Sequence, residues 1–108
     1  MLISFDNRKI RKICEDEIEA QNEFGIQVSI KLQNRLADLA AAKSVTDIII
    51  GNPCEIENTP YPNYKVDLCN NYILIFTVNN IIIPQLEDGS INWSEVNRIK
   101  ILEIIEKP

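Results

Sequence analysis

The sequence predicts an α+β domain with two layers, in which an N-terminal strand and a helical hairpin pack on an antiparallel sheet. Apolar residues follow helical spacing through the first half of the chain and tend to alternate with a period of two through the second half. Helical patterns grouped apart from a run of strands are typical of an α+β fold. With 108 residues and 45% apolar composition, the chain has enough material for one core, so we expect a single domain over residues 1–108.

The first half predicts a strand followed by two helices. Leu2-Ile3-Ser4-Phe5 has the composition of a short strand, and Asp6 is a candidate N-cap for the helix after it. That helix is expected to end near Phe24-Gly25, where glycine can adopt the left-handed conformation. A second helix follows, with one apolar face. The apolar positions of the two helices are Ile10, Ile13, Cys14 and Ile18 in the first, and Val28, Leu32, Leu36, Leu39 and Ala40 in the second.

After these helices the sequence predicts short turns and strands. Ser44 and Asp47 have the spacing of a capping box, which predicts a helical turn over Val45 to Ile50. Asn70-Asn71 and Asn79-Asn80 are turn signals, and a second helical turn is expected over Asn92 to Val96. The predicted strands are Cys54 to Glu57, Tyr64 to Leu68, Tyr72 to Val78 and Arg98 to Ile105. The resulting order is a strand, two helices and an antiparallel meander.

Composition argues against several classes of protein. A net charge of −5 disfavours nonspecific binding to the nucleic-acid backbone. The chain has no histidine, and its cysteines (Cys14, Cys54 and Cys69) form no CxxC pair, so we expect no metal, no cofactor and free thiols that serve as small core residues. No apolar run is long enough to cross a membrane, and charges follow Met1 to Phe5 directly, which predicts a cytoplasmic protein.

Basic residues are concentrated in the predicted helices. Arg8 and Lys12 in the first helix, and Lys31 and Arg35 in the second, have i,i+4 spacing and are candidates for a ridge that binds RNA or the ribosome. The alternative is ordinary ion pairing with neighbouring carboxylates, among them Glu15, Glu19 and Asp38.

Four segments, in the same order along the chain, resemble the HigB-type branch of the RelE/ParE toxin superfamily. They are Phe5-Asp6-Asn7-Arg8-Lys9-Ile10-Arg11-Lys12-Ile13-Cys14-Glu15, Lys31-Leu32-Gln33-Asn34-Arg35-Leu36-Ala37-Asp38-Leu39, the hairpin Tyr64-Lys65-Val66-Asp67-Leu68 with Tyr72-Ile73-Leu74-Ile75-Phe76, and Ile91-Asn92-Trp93-Ser94-Glu95-Val96 with Ile99-Lys100-Ile101-Leu102-Glu103-Ile104. The resemblance implies a RelE-like fold, with the order β-α-α-β-β-β, and the toxin of a bacterial plasmid-maintenance (toxin–antitoxin) module. Such a toxin is a metal-independent endoribonuclease that cleaves messenger RNA on the ribosome until an antitoxin protein covers it.

The chain departs from this family where the chemistry is done. Ile73 stands at the position usually held by arginine, and the chain ends in Glu106-Lys107-Pro108 where relatives commonly have Asp-Tyr-His. Cationic side chains stabilise the charge that develops on the phosphate during cleavage, and an isoleucine cannot replace them. The remaining candidate catalytic residues are Tyr61, Tyr64, Lys65, Arg98 and Lys100. The alternatives are structural: the tyrosines pack in the fold, and the cations form a solvent-facing row.

Two functions from different classes therefore stay open, beside an unrelated small binding domain. One is a divergent or weakened mRNA interferase, and the other is a catalytically silent domain that binds an antitoxin or a gyrase-like target. Ile81 to Ile83 is a possible docking segment if it is exposed.

Overall fold

The computed structural model describes residues 1–56 and 62–107, which form an α+β fold of three helices and a five-stranded mixed sheet. The helices are α1 (Arg8–Glu15), α2 (Glu17–Phe24) and α3 (Ile26–Ala41), and the strands are β1 (Leu2–Phe5), β2 (Cys54–Ile56), β3 (Asn63–Asp67), β4 (Tyr72–Val78) and β5 (Arg98–Glu106). Short 3-10 helices span Val45–Asp47 and Trp93–Glu95. The predicted α+β class is confirmed, and the strands lie within a few residues of the predicted ranges.

The sheet has the order β1-β5-β4-β3-β2. Strands β2 to β5 pair antiparallel in sequence order, as predicted, but β1 pairs parallel with β5 and forms one edge of the sheet. The prediction of an antiparallel sheet is confirmed for β2 to β5, while β1 makes the whole sheet mixed. Strand direction at this edge depends on the path of the chain through three helices, which the local pattern does not contain.

The first predicted helix is interrupted at Asp16, which has an extended backbone (φ −119°, ψ 108°). Its carboxylate Oδ1 accepts hydrogen bonds from the backbone N–H groups of Ile18 (3.0 Å) and Glu19 (3.4 Å), so Asp16 caps α2. Aspartate competes with the helical backbone in this way and favours a cap over a helix interior. The N-cap of α1 is Asn7, whose Oδ1 accepts from the Ile10 N–H at 2.9 Å, and not Asp6 as predicted.

Other predicted helix signals are present. Gly25 has φ 90° and separates α2 from α3. The Asp47 carboxylate accepts a hydrogen bond from the Ser44 N–H at 3.2 Å, as a capping box requires, although the helical turn ends at Asp47 and does not reach Ile50. Ala40, placed by prediction on the apolar face of α3, is exposed.

The two faces of the sheet have different surroundings. Directly paired residues of neighbouring strands point to the same face, so the register puts Val66, Leu74 and Ile104 on the face that packs with the helices. The opposite face, which we call the open face because no helix packs on it among the described residues, carries Lys65 and Ile75 with their paired neighbours, and Ile73 and Ile75 at its centre are buried. The fully buried core residues of the strands are Val66, Leu74, Phe76, Ile99 and Ile101.

One irregularity in β5 changes which side chains share the open face. Ile75 pairs with Glu103 while Phe76 pairs with Ile101, so Leu102 is an extra residue in β5 and forms a bulge. The bulge lets Lys100 and Glu103, three positions apart, point to the same side. Within the described residues, no helix is long and apolar enough to cross a membrane.

Cysteine placement differs between the three thiols, which are all free. Cys14 is buried among the helices, and burial raises the pKa of its thiol to about 12. Cys54 is exposed on β2, so the prediction that all three are core residues was wrong for Cys54.

Candidate functional site

The three candidate catalytic cations share the open face but lie on separate strands. Lys65 is on β3, whereas Arg98 and Lys100 are on β5, with β4 between them. Lys65 and Lys100 have carboxylate partners of their own. Lys65 Nζ lies 2.8 Å from Asp67 Oδ1, and Lys100 Nζ lies 3.8 Å from Asp6 Oδ1.

The most densely connected polar group on this face is the carboxylate of Asp67, at the end of β3. Lys107 Nζ lies 3.2 Å from the Oδ1 atom that also binds Lys65, and Asn52 Nδ2 donates to Oδ2 at 3.0 Å. The backbone of Asp67 is held too, because Arg35 Nε donates to its carbonyl oxygen at 3.0 Å. We call Arg35, Asn52, Lys65, Asp67 and Lys107 the Asp67 cluster.

The Asp67 carboxyl group stays ionised in this setting. Burial acts to raise its pKa, but hydrogen bonds from Lys65, Asn52 and Lys107 outweigh that effect and lower the pKa from 3.8 to about 2. A carboxylate with so low a pKa is a poor general base near neutral pH, since proton transfer works best when the pKa of the base lies near the working pH. The cluster therefore holds its cations around a permanent negative charge.

Gly51 makes the close approach of Arg35 to Asp67 possible. The Gly51 carbonyl accepts a hydrogen bond from the Asp67 N–H at 2.6 Å. A Cβ atom on Gly51 would lie 2.8 Å from Arg35 Nε and 3.1 Å from the Asp67 carbonyl oxygen, and its φ of +88° is rare for any other residue.

Tyr64 points away from these cations. It pairs with Phe76 on the core face, and its ring lies 5.6 Å from the Phe76 ring and 4.9 Å from the Trp93 ring, centroid to centroid. Burial raises the pKa of the Tyr64 hydroxyl, with the charges of Cys54 and Glu55 adding to the effect. Tyr64 thus fits the packing alternative, and Trp93 beside it is buried. Tyr61 lies outside the described residues.

The four candidate RNA-binding cations of the helices do not form one ridge. Arg35 is almost enclosed, with 12% of its side chain exposed, and it pairs with Asp38 at 3.5 Å besides its bond to Asp67. Lys12 Nζ lies 3.3 Å from Glu19 on the next helix, and Lys31 is half-buried on α3. Arg8 is exposed in the first turn of α1, and no ion pair of Arg8 is found within residues 1–56 and 62–107.

Arg8 lies in a groove of about 450 Å³ between the edge strand β1 and helix α1. The groove is lined by Ile3, Ser4, Phe5, Asn7, Arg8 and Arg11. We call it the β1–α1 groove. Arg11 also pairs with Glu15 at 3.2 Å, where both side chains are more than half exposed. Such a surface pair is weak and leaves Arg11 able to take another anionic partner.

Ile81 to Ile83 is exposed, which satisfies the condition set for a docking segment. The side chains of Ile81, Ile82 and Ile83 are 89%, 84% and 48% exposed. Within the part of the chain that the structure describes, no three metal-ligating side chains lie close enough together to hold an ion.

Sequence reasoning missed the residue that organises the open face. Asp67 lies in one of the four resembling segments but was not among the candidate catalytic residues. Lys65 and Asp67 are two positions apart on one strand, so their side chains must point to the same face. That spacing was the available signal. The contributions of Asn52 and Lys107 had none, because both contacts depend on tertiary structure.

Comparison with known proteins identifies no relative: no family model matches the chain, no curated protein matches its sequence, and no solved structure matches its fold.

Proposed function

We propose that this chain is a RelE/ParE-fold protein-interaction domain from a bacterial toxin–antitoxin module, which acts in the cytoplasm by binding a partner protein and does not cleave RNA. One observation carries the second half of this proposal. The lysines that could hold a phosphate near the hairpin already surround the carboxylate of Asp67.

The electrostatics of that arrangement oppose RNA cleavage. A scissile phosphate placed against Lys65 or Lys107 would also meet the negative charge of Asp67, which stays ionised far below neutral pH. Like charges at such distances repel strongly unless the site reorganises. Catalysis of phosphoryl transfer depends on cations that are free to stabilise the transition state, and this cluster supplies none that is free.

Among the residues that the structure describes, the candidate for proton transfer is poorly placed. Tyr64 lies on the core face, on the other side of the sheet from Lys65 and Lys100. The toxin–antitoxin half of the proposal comes from the four resembling segments, and the α+β order of a strand, helices and an antiparallel run of strands supports it.

A weakened mRNA interferase is the second candidate, and one observation favours it. Lys65, Arg98 and Lys100 all lie on the open face, so an RNA strand that crossed this face could contact them in turn. This function would need the Asp67 carboxylate to lose its partners or to turn away.

Controlled expression in bacterial cells distinguishes the two. We expect either no growth arrest or an arrest without new messenger RNA 5′ ends, as mapped by primer extension. Arrest with cleaved messages that disappears in Lys65→Ala and Lys100→Ala, but persists in Lys43→Ala, would contradict the proposal and support the interferase. Lys43 is exposed and lies after α3, outside the strands that form the open face.

The module itself is tested by co-expression with the short reading frame beside the gene. A stoichiometric complex on size-exclusion chromatography is the expected result. If no neighbouring product binds and none relieves an arrest, the toxin–antitoxin assignment fails.

A further inference from the structure

The outer edge of β1 has backbone groups directed away from the sheet. Leu2 and Asp6 donate their N–H groups to β5 and the residue before it, at Asn97 O (3.1 Å) and Ile101 O (2.9 Å). In a strand the N–H and C=O groups of alternate residues point to opposite sides. The N–H and C=O groups of Ile3 and Phe5 therefore point outward, at the end of the strand order.

The β1–α1 groove runs beside these groups. Its floor includes the half-buried side chains of Ile3 and Phe5, and its helical wall carries Arg8 and Arg11. A groove between an edge strand and a helix is suited to an extended peptide, because the strand offers a hydrogen-bonding ladder while the helix offers side-chain contacts.

We infer that the β1–α1 groove binds an extended acidic segment of a partner protein, which adds to the sheet as a sixth strand next to β1. The backbone of Ile3 and Phe5 can form four hydrogen bonds with such a strand. Its side chains on the helical side meet Arg8 and Arg11, which calls for glutamate or aspartate. The alternate side chains lie beside Leu2, which is 62% exposed, and this calls for apolar residues.

A second copy of this chain fits the groove less well. The densest acidic stretch of the sequence, from Glu15 to Glu23, is helical for nearly its whole length. It would have to unfold from α1 and α2 to enter as a strand, and that would expose Ile13, Cys14 and Ala20 from the core. The inference stands independently of the proposed function, since it rests on the strand edge and the groove alone.

The test uses the full chain and a capped, fluorescein-labelled heptapeptide that alternates valine with glutamate. Binding is measured by fluorescence anisotropy, beside a peptide with lysine in place of glutamate. We expect the acidic peptide to bind at least tenfold more tightly than the basic one. Raised salt should weaken that binding, since solvent-exposed charges are screened.

Matched variants of the protein locate the contact. Arg8→Glu should weaken acidic-peptide binding about tenfold, since it replaces attraction by repulsion. Lys9→Glu makes the same change in net charge at the adjacent residue, but Lys9 faces Glu23 at 4.0 Å and lines a different pocket. It should therefore change the affinity less than twofold.

Amide hydrogen exchange measured by NMR shows which backbone N–H groups of β1 bond to the peptide. Peptide binding should slow exchange at Ile3 and Phe5 and leave Leu2 and Asp6, which already bond inward, unchanged. Three outcomes would each overturn the inference: no binding, equal loss in Arg8→Glu and Lys9→Glu, or protection that appears elsewhere. Concentration-dependent dimerisation that protects the same two amides without peptide would identify a second copy as the occupant and also overturn it.

Discussion

Two groups of basic side chains on this protein differ in where the nearest carboxylate stands. In the Asp67 cluster, Lys65 and Lys107 converge on the Oδ1 atom of Asp67, at 2.8 and 3.2 Å. In the β1–α1 groove, Arg8 is exposed and Arg11 shares a weak surface pair. Both groups contain residues that the sequence nominates for RNA binding or catalysis, yet the cluster serves the fold and the groove is open to a ligand.

The contrast shows that counting basic residues is a poor guide to a binding site. The net charge of −5 gives an average over the surface, whereas recognition depends on which cations lack a carboxylate of their own. A cation that already pairs with a carboxylate inside the fold has little charge left for a ligand, and its removal leaves that carboxylate unpaired. Variants in the two regions can test whether the Asp67 cluster is structural and the β1–α1 groove is available for binding.

The largest expected effect comes from Gly51→Ala, compared with Gly89→Ala. Both glycines have φ near +87°, but Gly89 has open space around it while Gly51 faces Arg35 and Asp67. We expect Gly89→Ala to lower the free energy of unfolding by about 1 kcal/mol and Gly51→Ala by about 3 kcal/mol, measured by urea denaturation. Equal losses would mean that Arg35 does not pack against the Asp67 backbone.

Arg35→Gln and Arg8→Gln apply one substitution to both regions. Arg35→Gln removes the hydrogen bond to the Asp67 carbonyl in an almost enclosed position, so the free energy of unfolding should fall by about 2 kcal/mol. Arg8→Gln changes an exposed side chain and should alter it by about 0.5 kcal/mol or less. Similar costs for the two would remove the division between a structural cluster and an available groove.

A smaller effect appears in acid. Because the pKa of Asp67 is lowered from 3.8 to about 2, the stability that this carboxylate contributes is complete above about pH 4 and is lost as pH falls from there towards 2. Urea denaturation at several pH values should therefore show a shallower loss for Asp67→Asn than for the unaltered protein. Arg8→Gln serves as the control and should keep the steeper loss. An unchanged slope in Asp67→Asn would contradict the prediction.

Prediction from sequence succeeded where the information is local. The run of β-branched and aromatic residues in Tyr72–Val78 and the turn at Asn70-Asn71 predicted the central hairpin, and both asparagines have positive φ. The break at Asp16 was missed because the apolar spacing continues through it, although an aspartate followed by Ile18 and Glu19 amides is a sufficient cap.

The candidate site was less predictable for the same reason. The i,i+4 spacing of Lys31 and Arg35 indicated a surface ridge, whereas the burial of Arg35 follows from the arrival of Gly51 and Asp67 against the helix. The free edge of β1 could be predicted only from its parallel pairing with β5, and no local pattern predicts that pairing. Lys107 reaches Asp67 across 40 positions of the chain.

The central claim is that Asp67 is held as an anion by the cations around it, and the carboxyl carbon of Asp67 reports on this directly. Its ¹³C chemical shift can be followed by NMR while the folded protein is titrated with acid. A midpoint at about pH 2 is the predicted result. A midpoint near pH 3.8, the ordinary value, would show that Lys65 and Lys107 do not hold this carboxylate ionised. Both lysines would then be available to bind RNA.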